Sequence, residues 1–273
     1  MRITIMDTTL RDGEQTSGVS FTDEEKLSIA KLLLDDLRVD RLEVASARVS
    51  EGEFAAVKKI SEWAVKHNYI DRIEVLGFVD GDISINWILD AGCKVLNLLT
   101  KGSLKHVTEQ LKKSPEQHAA DIEQVIRNAV NRGLSVNVYL EDWSNGMRNS
   151  RDYVYFMADT LRKLPVNRIM LPDTLGILNP VETYDFCKDM IDRYPKLRFD
   201  FHAHNDYDLA AANVFSALRA GISCIHTTVN GLGERAGNVP VSSVIAIVSA
   251  YGVVSTCPAL FRRPNGLQSG SWH

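Results

Sequence analysis

The sequence Phe199-Asp200-Phe201-His202-Ala203-His204-Asn205-Asp206 decides how the rest of the chain is interpreted. It begins as a run of strand-forming residues and ends in polar side chains that can bind a metal ion. Successive side chains of a strand point to opposite faces, so His202 and His204 point the same way and are able to hold one ion. Taken alone, the pair fits equally well a strand with two half-exposed histidines and no ligand.

The composition is that of an ordinary globular protein, with 273 residues, 45% hydrophobic residues, 24% charged residues and a net charge of −4. This balance argues against a nucleic-acid-binding or membrane-surface protein. The four cysteines have no C-x-x-C spacing, so neither a disulfide framework nor a zinc ribbon is indicated. No apolar leader and no apolar run of about 18 residues occurs, so we expect a cytoplasmic protein without a membrane span.

Short apolar runs alternate with amphipathic helical stretches to about residue 250, which is the pattern of a parallel sheet with connecting helices. Eight such runs, each followed by a helix, match the strand count of an α/β protein with a (β/α)8 TIM barrel. A doubly wound open sheet remains the alternative, because counting strands does not establish closure. The predicted strands are Ile3–Asp7, Arg41–Ala45, Arg72–Phe78, Lys94–Leu99, Leu134–Leu140, Arg168–Leu171, Leu197–Ala203 and Cys224–Val229.

The helix starts carry their own local signals. Capping boxes, in which a Ser or Thr precedes a Glu or Gln by three positions, are predicted at Thr22–Glu25, Ser50–Glu53 and Ser114–Gln117. The alternation ends near Gly252, and Pro, Gly and Ser without a usable period follow. We therefore expect residues 1–252 to form one barrel domain and residues 253–273 to form an irregular tail.

Polar side chains follow nearly every predicted strand, where a barrel of this kind has its active site. Two imidazoles, with a carboxylate and an amide from other strand ends, suit a divalent ion that keeps positions open for substrate oxygens. Arg11 offers a fork of donors for a carboxylate or a developing oxyanion. Glu141 and Tyr139, at the end of the fifth strand, are able to handle a proton, although a structural ion pair explains Glu141 equally well.

The remaining histidines and lysines have simpler explanations. His67, His106 and His118 have charged neighbours and are predicted to be solvated, whereas His226 is predicted to be a hydrogen-bonded histidine of the eighth strand. The lysine-rich stretch Lys101–Lys113 is predicted to be solvated surface. Neither a complete dinucleotide fingerprint nor a Walker motif is present, so a nucleotide-dependent redox function is not supported.

Three separated motifs resemble a known family. Leu10–Gln15 with Lys26, His202–Asp206 and Gly233–Asn238 are similar to the metal-dependent acyl-CoA Claisen condensation enzymes, which share a TIM barrel. These are the isopropylmalate, homocitrate and citramalate synthases, relatives of hydroxymethylglutaryl-CoA lyase. The segments Ala45–Ser50, Leu96–Ser103 and Asn137–Gly146 resemble the citramalate branch in particular. The family usually has Gly at the position of Asp208 and Glu at that of Ser242.

The resemblance implies a role for each matching residue. Asp12, His202, His204 and Asn238 would bind the metal ion, which would be Zn, Mn or Mg. Arg11 would bind and polarise a 2-oxo acid, with Glu43 and Thr174 nearby, and Glu141 would be the base that deprotonates acetyl-CoA. The residues that would shape the 2-oxo acid pocket are Leu76, Leu99 and Tyr139, and their bulk favours the methyl group of pyruvate.

The implied activity is the condensation of acetyl-CoA with pyruvate to citramalate, a step of branched-chain amino-acid biosynthesis, by a homodimeric enzyme. The same residues leave three alternatives open: an isopropylmalate synthase that uses 2-oxoisovalerate, a barrel that binds metal and 2-oxo acid without turnover, and a metal-dependent aldolase or lyase. Family members continue past the barrel into lid and regulatory domains, and this chain is expected to lack both.

Overall fold

The first strand closes the sheet into a barrel in the computed structural model, which describes residues 2–250 and 254–255. Strands pair in parallel in the order β2 to β8 and then β1, and β1 also pairs with β2 through Met6 opposite Arg41. The fold is therefore the predicted (β/α)8 barrel and not the doubly wound alternative. The barrel strands are β1 (Arg2–Asp7), β2 (Arg41–Ser46), β3 (Ile73–Phe78), β4 (Val95–Lys101), β5 (Ser135–Glu141), β6 (Arg168–Asp173), β7 (Phe199–Ala203) and β8 (Cys224–Thr227).

Helices follow the strands and cover the outside of the barrel. The first helix continues into a π-helical turn, Leu32–Asp36, and a second π-helical turn, His106–Gln110, precedes the fourth helix. The helices are α1 (Asp23–Lys31), α2 (Glu51–Lys66), α3 (Ile83–Asp90), α4 (Pro115–Asn131), α5 (Trp143–Asn149), α6 (Arg151–Leu161), α7 (Pro180–Arg193), α8 (Ala210–Ala220) and α9 (Val241–Ala250).

The predicted capping boxes form at two of three helix starts. Thr22 with Glu25 and Ser114 with Gln117 make both reciprocal hydrogen bonds. At α2 only half of the box is present, because Ser50 Oγ accepts from the Glu53 N–H while the Glu53 carboxylate binds Lys26 instead. The predicted box at Ser50 is wrong in this respect, and the reason is a tertiary ion pair.

The end of the chain departs from the predicted pattern in two ways. The eighth strand stops at Thr227, two residues before its predicted end, because Asn230 has a left-handed φ of 55° inside a 3-10 turn. Val254–Ser255 form a short strand, β9, that pairs in parallel with Arg2 and Ile3 of β1. The other residues of the predicted irregular tail lie outside the described part of the chain.

The interior of the barrel is layered by side chains that alternate along the strands. Asn97, Leu99 and Lys101 of β4 stand in register with Asn137, Tyr139 and Glu141 of β5. The lowest layer is polar, the middle layer is largely apolar, and the upper layer opens at the C-terminal ends of the strands. A separate apolar cluster lies inside the barrel and consists of Met6, Leu76, Tyr139, Met170 and Cys224, with Leu99 packed against it.

Within residues 2–250 and 254–255, every helix is too short or too polar to cross a bilayer. Cys93, Cys187 and Cys224 are buried free thiols.

Candidate active site

A cavity of about 260 Å³ opens at the C-terminal ends of the barrel strands. It collects every predicted site residue except Glu43 and Asn238, which lie beneath it and beside it. The lining consists of Arg11, Asp12, Gln15, Ser46, Leu76, Phe78, Leu99, Tyr139, Glu141, Pro172, Thr174, His202, His204 and Glu234. Side chains from six strands and from the loops after β1 and β8 thus meet at one place.

The three predicted ligands Asp12, His202 and His204 converge on one point. Their ligand atoms all lie within 4.8 Å of one another, and all three residues are buried. Nε2 of His202 is 3.1 Å from Asp12 Oδ2 and 3.2 Å from Nε2 of His204, and the third distance, from His204 Nε2 to Asp12 Oδ2, is 3.8 Å. Atoms that share an ion about 2.1 Å away from each are separated by about 3 Å or slightly more, so the spacing fits a divalent cation.

Asn238 stands beside this trio because the loop after β8 folds back onto β7. His204 and Asn238 form an antiparallel bridge, and Asn205 N donates to Gly237 O at 2.9 Å. Gly237 has a φ of 84°, and a Cβ there would lie 2.0 Å from Gly231 O, so only glycine fits. Asn238 Nδ2 donates to Leu232 O, whereas its Oδ1 is buried without a hydrogen-bond partner in the described structure. A buried acceptor of this kind suits a cation ligand.

The protonation states of the trio also suit a cation. Burial lowers the pKa of His204 to about 4 and lowers the pKa of His202, so both imidazoles are neutral near pH 7. Burial would raise the pKa of Asp12, but Arg11 and the two histidines outweigh it and hold the pKa of this carboxyl well below its usual range. An ionised carboxylate and two neutral imidazoles are the forms in which these residues bind metals.

Arg11 is held in place from below by Glu43. Arg11 Nε donates to Glu43 Oε2 at 2.6 Å, and the same oxygen accepts from Thr8 Oγ1 at 2.9 Å. Asn97 donates to the other Glu43 oxygen at 2.7 Å, so this fully buried carboxylate is saturated with donors. Burial would raise the pKa of Glu43, but Arg11 and Asn97 keep it below its ordinary value. Glu43 therefore orients Arg11 and does not face the cavity.

Glu141 and Thr174 occupy the opposite wall of the cavity. The Glu141 carboxylate forms a short ion pair with Lys101 Nζ, its neighbour across the β4–β5 register. Thr174 Oγ1 accepts from Asp142 N at 2.9 Å, which leaves the hydroxyl hydrogen free to donate elsewhere. Lys101 was predicted to belong to a solvated surface stretch. That prediction is wrong for this residue, which ends strand β4 and is only 17% exposed.

A second group of potential ligands, Asp200, Cys224 and His226, lies deeper in the barrel. Asp200 is already paired with Arg41 and with Arg168, which is 2.9 Å away. Burial raises the pKa of Cys224 to about 12, so it remains a thiol. Because its carboxylate is neutralised and its thiol protonated, this group is a poor cation site.

The prediction that His226 is a hydrogen-bonded histidine of the eighth strand is confirmed. Its Nε2 lies 3.3 Å from Asp200 Oδ2 and its Nδ1 lies 3.2 Å from Tyr139 Oη. By contrast, the prediction that His118 is solvated is wrong. His118 is 2% exposed, and its Nε2 accepts from the backbone N–H of Lys101 at 3.3 Å. His106 is also partly buried, with Nε2 3.4 Å from Asp142 Oδ2.

Phe78 and Pro172 also line the cavity, although neither was predicted to belong to the site. Phe78 ends the third strand and Pro172 lies within the sixth, and neither has the polar side chain by which strand-end residues were predicted to belong to the site. The strand alternation from Leu76 to Phe78 is the signal that could have found Phe78.

This chain is similar to known proteins in both sequence and fold. The profile of the HMGL-like family matches residues 2–259. The chain belongs to the HMGL-like family. A hydroxymethylglutaryl-CoA lyase from Bacillus subtilis superimposes with a TM-score of 0.75 over 95% of this chain and 90% of that one, at 20% identity, which supports the barrel fold alone.

Curated relatives of this HMGL-like protein carry several different names. A 2-isopropylmalate synthase of Sulfurisphaera tokodaii is 36% identical over 89% of the chain and 61% of its own length. A protein of Methanothermobacter thermautotrophicus with the provisional name (R)-citramalate synthase is 36% identical over 93% of the chain and 49% of its own length. A homocitrate synthase of S. tokodaii is 35% identical over 92% of the chain and 54% of its own length. The chain thus spans about half to three fifths of the length of these relatives.

Two departures from the family pattern now have a structural setting. Asp208 has a φ of 57°, a left-handed conformation that glycine adopts without strain and that Asp tolerates better than most residues. Its Oδ1 accepts from Asn205 Nδ2 at 3.2 Å. Ser242 lies on the exposed side of α9.

Proposed function

We propose that this HMGL-like protein catalyses the metal-dependent condensation of acetyl-CoA with pyruvate to give citramalate. The observation that carries the proposal is the meeting of three groups in one cavity: the Asp12–His202–His204 trio, the Arg11 guanidinium and the Glu141 carboxylate. A condensation of this type needs an activated ketone, a clamp for its carboxylate and a base for the thioester methyl group. The names of the relatives support a synthase of this class.

Asp12, His202, His204 and Asn238 would hold the divalent ion, for which Zn, Mn and Mg are the candidates. When bound there, it would supply Lewis-acid polarisation of the 2-oxo group and a template for the adjacent carboxylate.

Arg11 would bind and orient the 2-oxo acid. Its Nε is engaged by Glu43, and its Nη1 is 3.4 Å from Asp12 Oδ2, so the guanidinium is fixed before a substrate arrives. The remaining N–H groups can donate to the substrate carboxylate or to the oxygen that gains negative charge. The free hydroxyl hydrogen of Thr174 would donate to the same carboxylate.

Glu141 would remove a proton from the methyl group of acetyl-CoA. The carbon nucleophile formed in this way attacks the 2-oxo carbon of pyruvate, a carbon–carbon bond forms, and the former keto oxygen takes up a proton to become the hydroxyl group. Water then hydrolyses the thioester and releases CoA, which makes the reaction irreversible. Lys101 would hold the Glu141 carboxylate in position through their ion pair.

The apolar wall of the cavity favours a small 2-oxo acid. Leu76, Leu99 and Tyr139 pack against one another, and Leu76 and Tyr139 are almost fully buried. An apolar wall of this kind suits a methyl group better than a second carboxylate, which would lose its hydration there. A branched substrate, 2-oxoisovalerate, is the second candidate, because the relative named 2-isopropylmalate synthase is as similar to this chain as the one named citramalate synthase.

The test is a thiol-release assay with acetyl-CoA, in which the chain is supplied with Zn²⁺, Mn²⁺ or Mg²⁺ and with pyruvate or 2-oxoisovalerate. We expect thiol release that depends on both the metal and the acid, with a higher kcat/KM for pyruvate. Glu141→Gln should lose turnover but still bind pyruvate in calorimetry.

Each other outcome has a defined meaning. A higher kcat/KM for 2-oxoisovalerate would replace the pyruvate assignment by an isopropylmalate synthase. Binding of 2-oxo acid without thiol release from either acid would reject catalysis by this chain and leave a metal-dependent binding protein. Cleavage of citramalyl-CoA without condensation would point to a lyase.

A further inference from the structure

Lys26 is a fully buried lysine that the proposed reaction does not use. Its side chain is 0% exposed, and its Nζ contacts three oxygens: Glu14 Oε2 at 2.5 Å, a Glu53 carboxylate oxygen in a short ion pair, and Leu10 O at 3.3 Å. Lys26 lies on α1, Glu53 on α2, and Glu14 in the 3-10 turn after β1. We call Lys26, Glu14, Glu53 and the Leu10 carbonyl the Lys26 clasp.

Several features indicate that the Lys26 clasp is retained in spite of a local cost. Lysine is among the residues least often buried, and an ammonium inside a protein must be paired to be tolerated. Glu53 gives up the second half of its capping box at the start of α2 to reach Lys26. At the starts of α1, α4 and α7 the corresponding side chain completes the box. The capping box of α2 is thus incomplete because the Glu53 carboxylate binds Lys26 instead.

The Lys26 clasp encloses the loop that carries Arg11 and Asp12. Lys26 binds the carbonyl of Leu10, directly before Arg11, and the carboxylate of Glu14, two residues after Asp12. The other Glu14 oxygen accepts from Phe21 N at 2.9 Å, which ties down the far end of the same loop. On the opposite side of the loop, Thr8 O accepts from the N–H groups of Arg11, Asp12 and Gly13.

We infer that Lys26 is a positioning residue for the metal ligand Asp12 and for Arg11, although it touches neither side chain. It joins the first two β/α units and fixes the backbone on both sides of Arg11–Asp12. Removing the ammonium would leave two carboxylates facing each other and one carbonyl without this donor, so the loop would move away from His202 and His204. This inference rests on the proposed metal site.

The experiment is calorimetric titration of the metal-free chain with Mn²⁺, which reads metal affinity without requiring turnover. The variants are Lys26→Met, Lys26→Arg and Glu53→Gln. We expect Lys26→Met to bind Mn²⁺ on the order of 10- to 100-fold more weakly, as when an outer partner of a metal ligand is lost. Lys26→Arg, which keeps the charge and the donors, should recover most of the affinity. Glu53→Gln retains the Lys26–Glu14 pair, so it should show a smaller loss.

Two controls separate positioning from general stability. Lys59 pairs with Asp23 and Glu24 and so joins the same two helices on the outside, at 2.8 Å and 2.5 Å. Ile60 is a fully buried core residue of α2. Lys59→Met and Ile60→Val should bind Mn²⁺ like the unmodified chain, even where urea unfolding shows that they are less stable.

The results distinguish this inference from the proposed function. If the unmodified chain fails to bind Mn²⁺, the metal site and the inference both fall. If it binds Mn²⁺ and folded Lys26→Met binds equally well, the inference alone is overturned. If Lys26→Met does not fold, Glu53→Gln decides: a loss of affinity beyond that of Ile60→Val supports the clasp, and an unchanged affinity rejects it.

Discussion

In the proposed reaction, Leu99 is the residue on which the size of an accepted 2-oxo acid would depend most directly. It stands in register between Phe78 of β3 and Tyr139 of β5, and it lines the cavity. Leu99→Ala should open space for a branched chain and raise the ratio of kcat/KM for 2-oxoisovalerate over pyruvate about 10- to 200-fold. Leu98→Ala is the matched control, because Leu98 points from the same strand into the outer core. It should cost stability and leave the ratio unchanged, and a ratio that stays constant in Leu99→Ala would exclude Leu99 from the pocket.

Substitution of Lys101 tests whether its ion pair with Glu141 matters for catalysis. Lys101→Met removes the partner that holds the proposed base, so the carboxylate should leave its productive position. We expect kcat to fall roughly 10- to 100-fold, the cost of misplacing a catalytic group by about 1 Å, with little change in KM for pyruvate. Lys101→Arg should retain most activity. Lys105→Met, at an exposed position in the helical turn after β4, should have no effect. A larger change in KM than in kcat would assign Lys101 to substrate binding instead.

The fourth helix carries a pH-sensitive contact with strand β4. His118 is buried beneath the end of β4, near Lys113, Asp121 and Lys101, and burial lowers its pKa to about 4. An unfolded histidine has a pKa of about 6.5, so between these values the unfolded chain binds a proton that the folded chain does not. Stability from this group is therefore fully present above about pH 6.5 and lost as the pH falls toward 4.

Replacing His118 by a residue that does not ionise should remove this dependence. We expect the free energy of unfolding in urea to fall more for the unmodified chain than for His118→Gln between about pH 7.5 and about pH 5. Glutamine can still accept from the Lys101 N–H. His67→Gln is the control, because His67 is exposed and stacks on Trp63 at the end of α2. Equal losses in all three proteins would show that His118 titrates normally.

Secondary structure was predictable wherever the local signal agreed with the tertiary contacts. The apolar runs marked all eight barrel strands, and the boxes at Thr22 and Ser114 marked the starts of α1 and α4. The burial of His118 was also within reach, since it precedes Ile122 by four positions and so falls on the buried stripe of α4. The second half of the box at Ser50 was not, because the partner of Glu53 belongs to another helix.

At the scale of the whole molecule, the closure of the sheet into a barrel could not be predicted from the sequence. It depends on hydrogen bonds that β1 makes to β8 and to β2, and neither pairing leaves a trace in hydrophobic periodicity. The candidate site was easier to predict from the sequence. A barrel brings all strand ends together, and polar residues that follow predicted strands can be recognised in the sequence. The supporting contacts were less predictable: Lys26 belongs to one of the motifs that resemble the family, but its pairing with both Glu14 and Glu53 is visible only in three dimensions.

Because the proposed ligands come from β7 and from the loops after β1 and β8, a bound ion would join segments on both sides of the closing strand. Such an ion binds the folded chain only, so at 100 times its Kd it should add about 2.7 kcal/mol to the free energy of unfolding. For a domain of this size, that corresponds to a rise in Tm of roughly 5–10 °C. The measurement is a thermal melt with EDTA and then with excess Mn²⁺. Asp12→Asn should abolish the rise, whereas Asp36→Asn, at an exposed position in the π-helical turn after α1, should preserve it. A rise that survives in Asp12→Asn would mean that the ion stabilises the barrel from another site.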